Sequence, residues 1–311
     1  MRSLHKLLLG CCLAVVLTWL SMGSVWPKNV VHQIPVAVIS LQDDVRFDKR
    51  VMELHYPGQP AGRLIGAARL GLSDVSMELS FGGFALAIED ITPSSQKTLN
   101  QALDALVKTG VRYWLLDLPP QVIAQVSARY AGQALMWNVS SDLDDLRAAS
   151  CSSTLFHAYP SARMLADGLA QYVAARNWRN YLGLTGPLAQ DQLLSQAWQR
   201  ASKRYGLTAV DEKFFKLSGD PRERALGNIK LLTNDRNHDV VVVWDSHGEF
   251  ARSLPYATQR PRPVVGSNGL VALAWHAQWS RNGGPQLSRR FKQDNNRDMV
   301  GQDWAAWVAI R

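Results

Sequence analysis

Gly110-Val111-Arg112-Tyr113-Trp114-Leu115-Leu116-Asp117-Leu118-Pro119-Pro120 is the stretch whose reading decides the fold. Glycine closes the segment before it and a nearly unbroken apolar run follows. Pro120 then sits at a first helical position, where its missing N–H costs nothing. A run this apolar, without alternation, is a strand covered on both faces. Residues 120–130 read as a helix and 134–139 as another apolar strand. Strand, amphipathic helix, strand describes a parallel sheet with helices on both sides.

The same pattern extends both ways. Upstream, Leu99, Ala102, Leu103, Leu106 and Val107 recur at helical spacing between a Thr92-Pro93 start and the Gly110 stop. Residues 84–91 and 32–41 read as strands, the latter built on Ile34, Val36, Val38 and Ile39, with a helix over 67–75. Downstream, the charged, small-residue stretch 140–153 separates this unit from a second one. Ser161 is a good N-cap for a helix with Leu165, Leu169, Tyr172 and Val173 on one face. A strand at 181–185 leads to a helix bearing Leu194, Ala197, Trp198, Ala201 and Tyr205, closed by Gly206, and strands at 207–215, 239–244 and 263–265 complete the set. The chain is therefore α/β, with two Rossmann-like lobes of parallel sheet, 32–155 and 156–270.

In such sheets ligands sit at the carboxyl ends of the strands. The polar residues there are Asp117, Ser140 and Ser141 in the first lobe, and Thr185, Asp245, Ser246, Ser267 and Asn268 in the second. Hydroxyls and helix N-termini suit a carboxylate, and an aspartate suits an ammonium. Each of these residues is equally a common helix cap. Trp244, Trp275 and Trp279 either line a pocket or fill the core and the seam between lobes.

Other chemistry is excluded or thin. There is no G-x-G-x-x-G after a strand, no G-x-x-x-x-G-K-[ST], no H-E-x-x-H and no G-x-S-x-G. Asp245-Ser246-His247 cannot form a relay, because neighbouring side chains on a strand end diverge. No catalytic residue, metal site or cofactor is expected. Of 3 cysteines, Cys11 and Cys12 lie in the leader, leaving Cys151 without an intramolecular partner. Asn138-Val139-Ser140 matches a glycosylation acceptor but falls on a buried strand. The net charge of +8 comes from scattered bases, which describes a solvated face and not a nucleic-acid surface.

At the N-terminus, Arg2 and Lys6 precede an uncharged apolar run over 7–20, followed by Ser21, Gly23 and Ser24. This is the layout of a secretory signal over 1–26, cleaved or retained as an anchor. A lipoprotein box at Leu8-Leu9-Gly10-Cys11 would leave too short an apolar region. The expectation is export from the cytoplasm. At the other end, Asp303, Trp304, Trp307 and Val308 open a helical pattern that stops uncapped at Arg311, as in a chain cut short.

The second half resembles periplasmic substrate-binding proteins of ABC transporters of the branched-chain amino acid class. More narrowly, it resembles the subgroup associated with PQQ-dependent alcohol dehydrogenase systems. The segments that carry this are Gly219-Asp220-Pro221-Arg222-Glu223-Arg224, residues 239–245 with Gly248-Glu249-Phe250, and Pro261-Arg262-Pro263-Val264-Val265-Gly266. Further on come Ala274-Trp275-His276, Gly284-Pro285-Gln286-Leu287 and Asp303-Trp304-Ala305-Ala306-Trp307. The resemblance implies the type I binding-protein fold, three crossover segments, and a return of 271–311 to the first lobe, truncated there. It implies an ABC permease as partner, a small-molecule ligand and a monomer. The alternative is a sensory module reporting a metabolite to a membrane partner. Two stretches depart from the family: Asp43, Asp44 and Arg46 replace small residues beside the ligand, and Leu116-Asp117-Leu118-Pro119-Pro120 lacks the serines that hold an amino acid carboxylate. Both departures weigh against an amino acid ligand.

Overall fold

The computed structural model describes residues 31–53 and 55–311. The leader over 1–26, with Cys11 and Cys12, lies outside the described residues. Among those described, no helix is long and apolar enough to cross a membrane.

Two sheets form, and every strand pair in them is parallel. The first contains β1 (His32–Ser40), β2 (Phe84–Ile91), β3 (Tyr113–Asp117), β4 (Leu135–Asn138) and β5 (Leu155–His157), in the order β2-β1-β3-β4-β5. The second contains β6 (Asn180–Thr185), β7 (Thr208–Phe214), β8 (Val240–Trp244) and β9 (Val264–Gly266), in the order β7-β6-β8-β9. In both, the first strand lies inside the sheet and the next strand goes to its outer side. The strand order therefore reverses at β1/β3 and at β6/β8, and a ligand crevice opens at such reversals.

The principal helices are α1 (Ile65–Phe81), α2 (Gln96–Thr109), α3 (Pro120–Arg129), α4 (Ala162–Ala175), α5 (Ala189–Arg204), α6 (Glu249–Ala257), α7 (Gly284–Asn295) and α8 (Gly301–Ile310). Three details differ from expectation. α2 starts at Gln96, after Pro93, because Ser95 and Thr98 form a reciprocal capping box. β5, with only three residues, is too short to signal itself, yet His157 pairs with Asn138 in the first sheet. The first sheet thus runs past residue 155, where the lobe boundary was drawn. α6 and α7 were not anticipated. α8 starts two residues before Asp303, which accepts the Val300 N–H at its third position.

The chain passes between lobes where Tyr159 packs in the first core and Ala162 in the second, and passes again between Ala272 and Ala274. After the second passage, α7 and α8 cover the first sheet. Leu287, Phe291, Met299, Ala305 and Ala306 pack with Val36, Val38 and residues of α1. A fork from Arg297 onto the fully buried Asp303, at 2.6 and 2.7 Å, ties the two helices together. Trp275 stacks on Trp304 with ring centroids 6.4 Å apart, while Trp279 stays 47% exposed.

Candidate ligand cleft

A cleft of about 450 Å³ opens between the lobes, at the carboxyl ends of both sheets. Its walls are largely apolar, with Leu118, Leu165, Leu169 and Leu194 joined by Tyr56, Tyr159 and Trp244. Of the strand-end residues expected at a ligand, Ser140, Ser141, Asp245, Ser246 and Ser267 line it; Asp117, Thr185 and Asn268 do not.

Asp117 turns inward. It is buried beside Arg46, whose Nη2 donates to Asp117 Oδ1 at 3.1 Å and to Asp44 Oδ2 at 2.7 Å. Arg46 lies on the short turn after β1 and is held there by Asp44, which also accepts the Arg46 backbone N–H at 3.0 Å. Burial pushes the Asp117 carboxyl above the usual carboxylate range, and the Arg46 guanidinium offsets only part of this. Thr185 donates to Ser195 Oγ within the second lobe. The Asn268 amide nitrogen donates to the Ala251 carbonyl, and its oxygen accepts the Gly269 N–H. Thr185 and Asn268 thus find partners inside their own lobe, whereas Asp117 Oδ2 stays buried without a hydrogen-bond partner.

In the second lobe even the residues that reach the cleft are engaged elsewhere. Asp245 accepts the N–H groups of Gly248 and Ala251, both at 2.9 Å, and so caps α6. Ser267 Oγ accepts the Asp245 N–H, and the Ser246 N–H donates to the fully buried Asp191 at 2.6 Å. His247 is exposed, near Glu249, and does not line the cleft.

The first lobe differs. Asn138 is fully buried, and its side chain brackets the following turn: it accepts the Ser140 and Ser141 N–H groups and donates to the Ser141 carbonyl. An Asn this enclosed is closed to glycosylation. The turn places Ser140, a residue 8% exposed, in the cleft wall, and its hydroxyl oxygen is buried with no hydrogen-bond partner. It lies beside Asp117 without completing a hydrogen bond to it. Gln302 Oε1 and Trp244 Nε1 are likewise buried at the cleft with no partner. Unpaired buried groups cost about 1–3 kcal/mol each.

Several contributors had no readable signal. The loop 56–60 closes the cleft mouth from the first lobe. Gln59 Nε2 donates to the Ser246 carbonyl at 2.9 Å, and the Tyr56 ring lies under Arg252 at 5.2 Å from its centroid. Gly248 permits this approach, because a Cβ there would overlap the Tyr56 ring, and its φ of 80° suits glycine. Gln302, from α8, braces the same loop by donating to the Gly58 carbonyl at 2.9 Å. Asp142, Tyr159 and Gln190 also line the cleft. Tyr56-Pro57-Gly58-Gln59-Pro60 carried no sequence reading of its own, while Asp44 and Arg46 stood out only as a departure from the family beside the ligand.

No family model matches the chain, and no curated protein does. Solved structures do. A putative branched-chain amino acid ABC transporter protein from Rhodospirillum rubrum superposes with a TM-score of 0.67 at 13% identity, over 90% of this chain and 82% of that one. An ABC transporter substrate-binding protein from Desulfitobacterium hafniense in complex with Leu gives 0.63 at 14% identity, over the same 90% and 82%. A solute-binding protein of an ABC transporter from R. palustris, in complex with benzoate, gives 0.58 at 12%, over 89% and 78%. The likeness is one of fold: two parallel-sheet lobes in the type I periplasmic binding protein arrangement.

Proposed function

We propose that the chain is the exported solute-binding component of an ABC importer, closing its lobes over a small organic ligand and presenting the closed form to an inner-membrane permease. The observation that carries this reading is the cleft between the lobes, with buried polar atoms lacking partners on its walls: Ser140 Oγ, Gln302 Oε1 and Trp244 Nε1. The thin link between lobes, two chain passages and the clasp of loop 56–60, is what a hinge needs. Closure would bury the ligand and dry its hydrogen bonds; opening would release Gln59 from Ser246 and Tyr56 from Gly248. The protein acts by binding alone, and no histidine, cysteine or lysine lines the cleft among the described residues.

Export to the periplasm rests on the leader over 1–26, and the monomeric state on the resemblance. The link to PQQ-dependent alcohol oxidation rests on the sequence segments of the second half; normal growth on alcohols by a deletion strain would remove it. The sensory alternative uses the same closure and has no feature of its own in the cleft.

The test is solution scattering with and without a ligand found by thermal-shift screening of alcohols, amines, carboxylic acids and amino acids. A smaller radius of gyration on binding is expected. A ligand that binds in the cleft and leaves the radius unchanged would overturn the closing binder.

A further inference from the structure

We propose that the cleft takes an organic monocation, an amine on an apolar or aromatic body without a carboxylate, its ammonium placed against Asp142. This rests on the reading of the chain as a cleft binder and names the ligand class.

The argument is a census of charge at the cavity. Three charged side chains line it: Arg46, Asp142 and Asp245. Arg46 is the one cation among the described lining residues, and it is already paired twice, with Asp44 and Asp117. Its Nη1 makes no hydrogen bond to the described residues, so it remains a donor for a neutral ligand oxygen. A ligand carboxylate placed there would compete with two buried carboxylates for the Arg46 charge, with Arg63 the further cation whose charge reaches Asp117. Both oxygens of Asp245 are held by the start of α6.

Asp142 is the exception. No described side chain donates to its carboxylate and no cation lies within 4.0 Å of it, whereas neighbouring Asp144 draws Arg163 and Arg200. Arg147 is within electrostatic reach, but its Nη2 donates to the Tyr159 carbonyl at 2.6 Å. Burial lifts the Asp142 carboxyl above its ordinary range and the Asp144 charge adds to this, while its own backbone N–H and the Arg147 charge offset part of the rise. An ammonium would relieve that burden; an anion would add to it. The remaining lining, Leu118, Leu165, Leu169, Leu194 and the rings of Tyr56 and Tyr159, suits the apolar body, and about 450 Å³ accommodates a small aromatic amine. The unpartnered oxygens Ser140 Oγ and Gln302 Oε1 can then accept from the ammonium or from a neutral donor, and Trp244 Nε1 can donate to a neutral ligand oxygen.

Four probes of one size separate the chemistries: 2-phenylethylamine, 2-phenylethanol, 3-phenylpropionate and phenylalanine, titrated calorimetrically against the whole protein. The amine is expected to bind at least tenfold more tightly than the carboxylate or the amino acid. Asp142→Asn should remove that advantage, costing the amine at least tenfold more affinity than it costs 2-phenylethanol. Carboxylate or amino acid binding as tight as the amine's overturns the proposal, and so does an amine advantage that survives Asp142→Asn. The wild-type ranking decides even where the variant fails to fold. Scattering on the same samples separates the two levels. Closure without amine preference overturns the ligand class alone. Amine binding without closure overturns the importer reading alone, and no binding by any probe overturns both.

Discussion

The two walls of the cleft use the same residue types in opposite ways. At the ends of β8 and β9, Asp245, Ser246 and Ser267 are fastened to α6, to Asp191 and to one another. At the end of β4, Asn138 does the fastening from below, and Ser140 and Asp142 are left facing the cavity. A strand-end serine or aspartate is thus a cap or a ligand contact according to whether something nearer satisfies it. A helix starting shortly after the strand, as α6 does at Glu249 after Asp245, takes the carboxylate. A turn held by a buried amide leaves the hydroxyl free.

Three substitutions test that contrast. The largest effect belongs to Arg46→Ala. It would strand Asp44 and Asp117, which are 4% and 1% exposed, without their shared cation. Breaking a buried pair from one side costs about 3–5 kcal/mol. Urea unfolding should show a loss of this size; a change under about 1 kcal/mol would mean that the cluster does not support the first wall.

Asp245→Ala comes next. It removes both acceptors from the start of α6 and leaves the Gly248 and Ala251 N–H groups unpaired, at a cost of about 1–3 kcal/mol. Stability should fall while affinity for a cleft ligand follows only as far as α6 loosens. A large affinity loss at unchanged stability would make Asp245 a ligand contact and erase the difference between the walls.

Ser140→Ala is the mirror image and the smallest effect. Its buried hydroxyl has no partner to lose, so the melting temperature should hold or rise. Ligand affinity should drop by about 1 kcal/mol, the net worth of one hydrogen bond. Calorimetry beside a melting curve reads both, and a stability loss equal to the affinity loss would count against the assignment.

The sheets were readable because their signal is local. Val111 through Leu118 and Val240 through Trp244 are apolar without alternation, and only burial on both faces asks for that. β5 was not readable, since three residues carry no periodicity. The cleft was half readable. Five of eight strand-end residues reach it, because topology alone places strand ends there. Asp117 is drawn inward by Arg46, from another strand's end and 71 residues away in sequence.

By itself, the sequence determined the two parallel sheets, the longer strands and helices that build them, and the end at which any ligand must enter, since periodicity and strand ends are properties of neighbouring residues. Only the tertiary structure decided which polar atoms remain open to that ligand. Gln302 reaches the loop at Gly58 from 244 residues away, and Gln59 crosses 187 residues to Ser246. Whether a hydroxyl or carboxylate is free depends on every donor and acceptor the fold brings within about 3 Å of it. No local pattern in the chain encodes that count.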